Sequence, residues 1–184
     1  MPVGGMEYEN GLKCCEVQQS GIVCKLQMLC STGKAAMENS EKIVDLNGSF
    51  RFKVDAKGRV SLPSQFRKVL ANDLVVTLDP HDEFLMVFEQ PDFNEWVADL
   101  LREKLGDFNP SSRNYLAVRR KLKSRARDVE VDSSGRIMLA ADQRETVEIS
   151  KDVVIVGNTG YFEIWDARRY DEMDAGIDLG FLID

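Results

Sequence analysis

Polar and apolar residues alternate along Ser49-Phe50-Arg51-Phe52-Lys53-Val54, the period of a half-buried strand. Asp55-Ala56-Lys57-Gly58 is turn chemistry, with Gly58 able to take a positive φ. Arg59-Val60-Ser61-Leu62 alternates again, so the pattern predicts a hairpin. Pro63 suits the first turn of a helix, where its missing N–H would be unpaired anyway, and Phe66, Val69 and Leu70 are spaced to cover one helical face. The apolar runs 74–78 and 84–88 predict two further strands around Asp79-Pro80-His81-Asp82. In 92–105, Val97, Leu100, Leu101 and Leu105 line one helical face with Trp96 beside them; Asp107 to Ser112 reads as a break; and 113–127 places Tyr115, Val118, Leu122 and Ala126 at helical spacing. Ala167 to Met173 reads as a short helix, and residues 1–36 sustain neither period.

The pattern repeats itself. Residues 54–62, Val-Asp-Ala-Lys-Gly-Arg-Val-Ser-Leu, return as 131–139, Val-Asp-Ser-Ser-Gly-Arg-Ile-Met-Leu, at an offset of 77. The same offset sets Val87-Phe88-Glu89 on Ile164-Trp165-Asp166 and Phe93 on Tyr170. Between these ends lie the apolar runs Leu74-Val75-Val76-Thr77-Leu78 and Val153-Val154-Ile155-Val156. Each repeat reads as β-hairpin, short helix, β-hairpin. A unit of about 45 residues is too small to bury a good core alone, so close pairing of the repeats, or strand exchange between them, is expected.

Length and composition bound the rest. A chain of 184 residues, 43% hydrophobic, makes one ordinary domain or two small ones. It holds no apolar stretch of about 18 residues, so a transmembrane helix is excluded. Cys14, Cys15, Cys24 and Cys30 are the only cysteines; they form no C-x-x-C pair and His81, the only histidine, is distant, so a zinc site is poorly supported. A cysteine-free main body fits a reducing compartment. The mildly apolar run 21–30, interrupted by Lys25 and Gln27, is a poor signal peptide. Met37 is a candidate natural start, because Met37-Glu38-Asn39-Ser40 leads directly into the patterned region.

The net charge of −7 would ordinarily argue against a nucleic-acid partner, but the charges are segregated. Residues 49–70 carry Arg51, Lys53, Lys57, Arg59, Arg67 and Lys68 against Asp55 alone, a net +5. Residues 113–127 carry seven basic residues and no acid, whereas 71–112 sum to −8. A two-stranded ribbon fits the DNA major groove, Arg can make paired hydrogen bonds to guanine, and Lys and Arg on phosphates supply most non-specific affinity. The basic helix 113–127 is read chiefly as solvated or as paired with the acidic region of a neighbouring subunit, because its charges are spread around the helix. No nucleophile elbow, phosphate loop or metal-spaced cluster is present, and His81, Asp79, Asp82 and Glu83 read as a solvated turn, so an enzyme is not expected.

The run Asp55-Ala56-Lys57-Gly58-Arg59-Val60-Ser61-Leu62-Pro63-Ser64-Gln65-Phe66-Arg67, with its second form Asp132-Ser133-Ser134-Gly135-Arg136-Ile137-Met138-Leu139, resembles the MraZ family of bacterial transcriptional regulators. That family is related to the AbrB-like swapped-hairpin DNA-binding domains. The resemblance covers about residues 48–170. It implies an α+β fold of two tandem swapped-hairpin, β-barrel-like repeats with intervening helices, forming one pseudo-symmetric unit. The chain then divides into a disordered extension 1–48, a first repeat plus helix 49–105, a basic linker helix 106–123, a second repeat 124–173 and an acidic tail 174–184. The resemblance further implies a sequence-specific repressor of the bacterial division and cell-wall gene cluster. Such a protein binds direct repeats in double-stranded DNA, assembles as a ring-shaped homo-oligomer, is cytoplasmic and nucleoid-associated, and needs no cofactor, metal or membrane. An antitoxin-type regulator of the same fold is the alternative. Carried over by residue, the DNA-facing positions are Arg59, Lys57 and Arg136, with Asp55 and Asp132 as organisers of the turns and Arg51 and Lys53 reaching phosphates if their strand face is outward. The second repeat departs from the pattern: Ala140 stands for Pro63, Gln143 for Phe66 and Ser134 for Lys57, and residues 124–144 have no net charge. The first repeat is therefore expected to carry most of the affinity.

Overall fold

A computed structural model describes residues 44–106 and 112–180. The expectations for residues 1–43, including the four cysteines and the start at Met37, and for the break at 107–111 lie outside the described residues.

Among the described residues eight strands and four α-helices follow one another: β1 (Ser49–Lys53), β2 (Arg59–Ser61), β3 (Asp73–Leu78), β4 (Leu85–Glu89), α1 (Gln90–Leu105), α2 (Arg113–Ser124), β5 (Arg127–Glu130), β6 (Arg136–Met138), α3 (Ala141–Thr146), β7 (Asp152–Gly157), β8 (Tyr161–Asp166) and α4 (Ala167–Ala175). A single 3-10 turn, Phe66–Lys68, stands in the first repeat where α3 stands in the second. It hangs on the Pro63 carbonyl, which accepts from the N–H groups of Phe66 and Arg67 at 3.0 and 3.2 Å.

Six strands form one sheet in the order β1-β7-β8-β4-β3-β5, and every neighbouring pair is antiparallel. The order is a palindrome of the two repeats, with its centre between β8 and β4. The first strand of each repeat pairs with the hairpin of the other: β1 lies on β7, with Arg51 opposite Val154, and β5 lies on β3, with Val75 opposite Asp128. The expected hairpin of 49–62 is therefore paired within itself only at its turn, where the N–H of Asp55 donates to the Arg59 carbonyl at 2.8 Å. Its two strands separate after the turn, and β2 instead pairs antiparallel with β6 of the second repeat. Exchange wins because each repeat alone would leave strand edges and apolar faces open, and the partner repeat closes both.

The central strands are buried on both faces, which explains their unbroken apolar runs. Leu74, Val76, Leu85 and Val87 face the main core with Val60, Leu62, Phe66, Ile137, Leu139, Ile155, Phe162 and Ile164. Val75, Met86 and Phe88 face the other way, onto Phe93, Val97 and Leu101 of α1 and Tyr115 of α2. Phe66 joins the repeats, its ring 5.6 Å from that of Phe50 and 5.5 Å from that of Phe162. Its counterpart Gln143 is buried too, and its amide nitrogen donates to the carbonyls of Val76 (3.0 Å) and Arg125 (2.9 Å).

Several sequence expectations shift. Val69, Leu105 and Val118 are exposed rather than on buried faces. The helix expected to reach 127 ends at Ser124, because Arg127 to Glu130 are drawn into pairing with β3. The extension expected to run to residue 48 ends sooner: Val44 and Leu46 are buried, and the N–H of Leu46 donates to the Asn158 carbonyl at 3.2 Å. Leu46→Ala should accordingly cost about 2–5 kcal/mol, as for other buried leucines. Urea unfolding should show a lower midpoint at an unchanged slope.

Candidate nucleic-acid interface

The β2–β6 ribbon is the meeting point of the two Asp-x-x-x-Arg motifs. Its register sets Arg59 opposite Met138, Val60 opposite Ile137 and Ser61 opposite Arg136. Val60 and Ile137 are fully buried, so strand alternation turns Arg59, Ser61, Arg136 and Met138 to the outer face. The two arginines lie diagonally across it. Three paired residues span about 10 Å at about 3.4 Å each, against a major groove about 12 Å wide.

Each arginine is held by the aspartate that opens its turn. Asp55 Oδ1 accepts the backbone N–H groups of Lys57 and Arg59, both at 2.9 Å. Its Oδ2 accepts Arg59 Nε at 2.8 Å and pairs with Nη2 at 2.7 Å. Asp132 repeats the arrangement: Oδ1 takes the N–H groups of Ser134 (2.8 Å) and Arg136 (3.0 Å), and Oδ2 takes Arg136 Nε (3.0 Å) and Nη2 (2.9 Å). Fixing the turn and holding the arginine are thus performed by one carboxylate in each repeat. The N–H of Arg59 and its guanidinium hold the Asp55 carboxyl down to about 2 from the usual 3.8. The Arg136 side chain likewise lowers Asp132. A guanidinium has five N–H donors, and this grip occupies its Nε edge. The far edge of Arg59 keeps its donors. Arg136 also leans towards the first repeat, with Nη1 4.0 Å from Asp55 Oδ2.

The turns are locked across the repeats. The N–H of Leu62 donates to the Gly135 carbonyl and that of Leu139 to the Gly58 carbonyl, both at 2.9 Å. Gly58 and Gly135 have φ of 82° and 73°, the region glycine adopts most readily. The side chain of Arg67 lies against Gly135, and that of Arg144 against Gly58, where an added Cβ would sit 3.2 Å from its Nη2. Each arginine thus leaves the short helix of its own repeat and covers the turn of the other. Sequence reasoning did not select this pair for the site. Their recurrence at the offset of 77 was the available signal.

The remaining candidates divide. The turn exposes Lys57, whose ammonium makes no ion pair among the described residues. Arg51 and Lys53 do face outward, but on the sheet edge rather than the ribbon, and both are engaged: Arg51 with Asp171 of α4, Lys53 with Asp152 at 2.8 Å. From the basic segment 113–127, Arg125 pairs with Asp82, Arg127 with Asp142 at 3.2 Å, and Lys123 sits 4.2 Å over the Phe93 ring. Part of that charge is therefore met within the chain.

Comparison with known proteins agrees with the repeat. Residues 46–116 and 122–180 both match the family described as "MraZ protein, putative antitoxin-like". The chain is similar to the "Transcriptional regulator MraZ" of Mycolicibacterium vanbaalenii, 36% identical over 68% of this chain and 83% of the relative. The protein of that name from Nitrosomonas europaea is 35% identical over 70% and 86% respectively. That from Mycolicibacterium smegmatis is 36% identical over 73% and 90%.

The depressed Asp55 carboxyl has a signed consequence. A carboxylate whose folded pKa lies below its unfolded one stabilises fully above the unfolded value, and that contribution is lost as pH falls through the folded value. The stability gap between wild type and Asp55→Asn should be constant above about pH 5 and close progressively towards pH 2. Urea melts at stepped pH measure it; a gap that widens on acidification would contradict the assignment.

Proposed function

This chain belongs to the MraZ family, and on that premise we propose that it is a sequence-specific DNA-binding regulator of transcription that presents the β2–β6 ribbon to the major groove. Its relatives are named as regulators, not as enzymes. The observation that carries the reading is the pair of half-buried arginines, one from each repeat, fixed on the outer face of a two-stranded ribbon by the aspartates of their own turns. Pre-organised guanidiniums lose little freedom on binding, and the far edge of Arg59 suits the O6 and N7 acceptors of guanine, whereas Arg136 is also approached by Asp55. In this reading Lys57 contacts phosphate beside Arg59. Arg51 and Lys53 would have to leave their aspartates to do so, which ranks them lower.

The finer reading extends to repression of the division and cell-wall gene cluster through direct repeats, in the cytoplasm and on the nucleoid. It includes a ring-shaped homo-oligomer. Leu105 on α1 and Leu116 and Val118 on α2 are all more than two-fifths exposed, a supply of apolar surface for such an assembly. Linked ribbons would then bind by avidity, so an acidic chain can hold DNA through many modest contacts.

A gel shift with the DNA upstream of the chain's own gene tests this. Wild type should shift it, with affinity falling steeply as salt rises. Arg59→Ala should lose more affinity than Arg136→Ala, since Lys57 accompanies Arg59 while Ser134 stands beside Arg136. Equal losses would overturn the asymmetry, and no shift at low salt would overturn DNA binding.

A further inference from the structure

We propose that Met138 is a specificity-determining residue that reads the methyl group of a thymine next to the base contacted by Arg59; the inference rests on the DNA-binding reading above. Met138 is 47% exposed, while Ile137 and Leu139 on either side of it are 0% and 1% exposed. It belongs to neither core cluster and is directed outward by strand alternation. Its register partner is Arg59, whose guanidinium is held, among the described residues, by its own aspartate alone, whereas Arg136 is approached by Asp55 as well as Asp132.

The chemistry of the groove selects the ligand. Of the four bases, only thymine shows an apolar group on its major-groove edge, the C5 methyl. An unbranched thioether is polarizable and adapts its shape, so it can close on a methyl without a preformed pocket. Opposed residues of an antiparallel pair have Cβ atoms about 4.5–5.5 Å apart, comparable with the rise of about 3.4 Å between base pairs. Arg59 and Met138 can therefore address neighbouring base pairs, one by hydrogen bonds and the other by apolar contact.

The repeat supplies an internal comparison. The position equivalent to Met138 is Ser61, opposite Arg136. The two ends of the ribbon are alike in their Asp–Arg pairs and differ here, so one end discriminates a methyl and the other does not. Serine is already accommodated at this place in the ribbon, which makes Met138→Ser a mild substitution for folding.

The test uses the full chain and the shortest duplex from its own upstream DNA that it binds, with each thymine replaced singly by uracil, which lacks only the methyl. Fluorescence anisotropy at fixed salt should show wild type losing about four-fold in affinity at one thymine, the worth of one buried methyl. Met138→Ser should bind the parent duplex correspondingly less well and be indifferent to that uracil, while Met138→Leu should stay sensitive. Wild-type binding that ignores every uracil, or an equal uracil penalty in wild type and Met138→Ser, would overturn the inference and leave DNA binding intact. Absence of binding to the parent duplex would overturn both.

Discussion

Backbone pairing between the two repeats is the constraint on which everything else rests. The N–H of Leu62 reaches the carbonyl of Gly135, and that of Leu139 reaches Gly58, continuing the β2–β6 ladder into both turns. Buried peptide groups must find partners, and neither repeat holds enough strands to satisfy its own. The six-stranded sheet answers the same need, since β1 and β5 each complete the other repeat's hairpin. The core follows from this arrangement. Val60 and Ile137 meet over the sheet, and Phe66 touches aromatic rings from both repeats.

The same pairing builds the charged face. Two turns that lie far apart in the sequence are brought side by side, and each is finished by a side chain from the other half: Arg67 over Gly135, Arg144 over Gly58. Asp55 and Asp132 divide their oxygens, one for backbone N–H groups and one for a guanidinium. Turn shape and arginine position are thus set by a single carboxylate, and neither can change without the other. Partly neutralised arginines contribute direction rather than raw field. Positive charge without a partner among the described residues comes from neighbours such as Lys57.

Much of this was legible in the sequence, and for definite reasons. The recurrence of Asp-x-x-x-Arg at a fixed offset identified two copies of one unit, and their small size called for close pairing or exchange between them. Alternation located β1 and β2, and Asp55-Ala56-Lys57-Gly58 located the turn. Which strand pairs with which was not legible, because period-2 patterning marks faces and not partners. A hairpin within 49–62 and an exchanged pair have the same pattern. The occupation of Arg51 by Asp171 was equally hidden, since the two stand 120 residues apart and only the fold brings α4 alongside β1. The burial of Val44 and Leu46 was not legible because their alternation with Asp45 and Asn47 lasts only four residues, too short a run to mark a strand, and its partner is the distant turn at 158–160.

The palindromic order of the sheet has a further meaning. A domain of this kind could be assembled from two separate identical chains, and its stability would then fall on dilution. Here both halves lie on one polypeptide, so they meet at a high effective concentration whatever the abundance of the protein. Covalent linkage also releases the halves from identity. Phe66 and Gln143, Lys57 and Ser134, Ser61 and Met138 occupy equivalent places yet differ in chemistry. A homodimer would have to carry each choice twice. This chain specialises one half without altering the other, and so gives a nearly two-fold symmetric scaffold a front and a back.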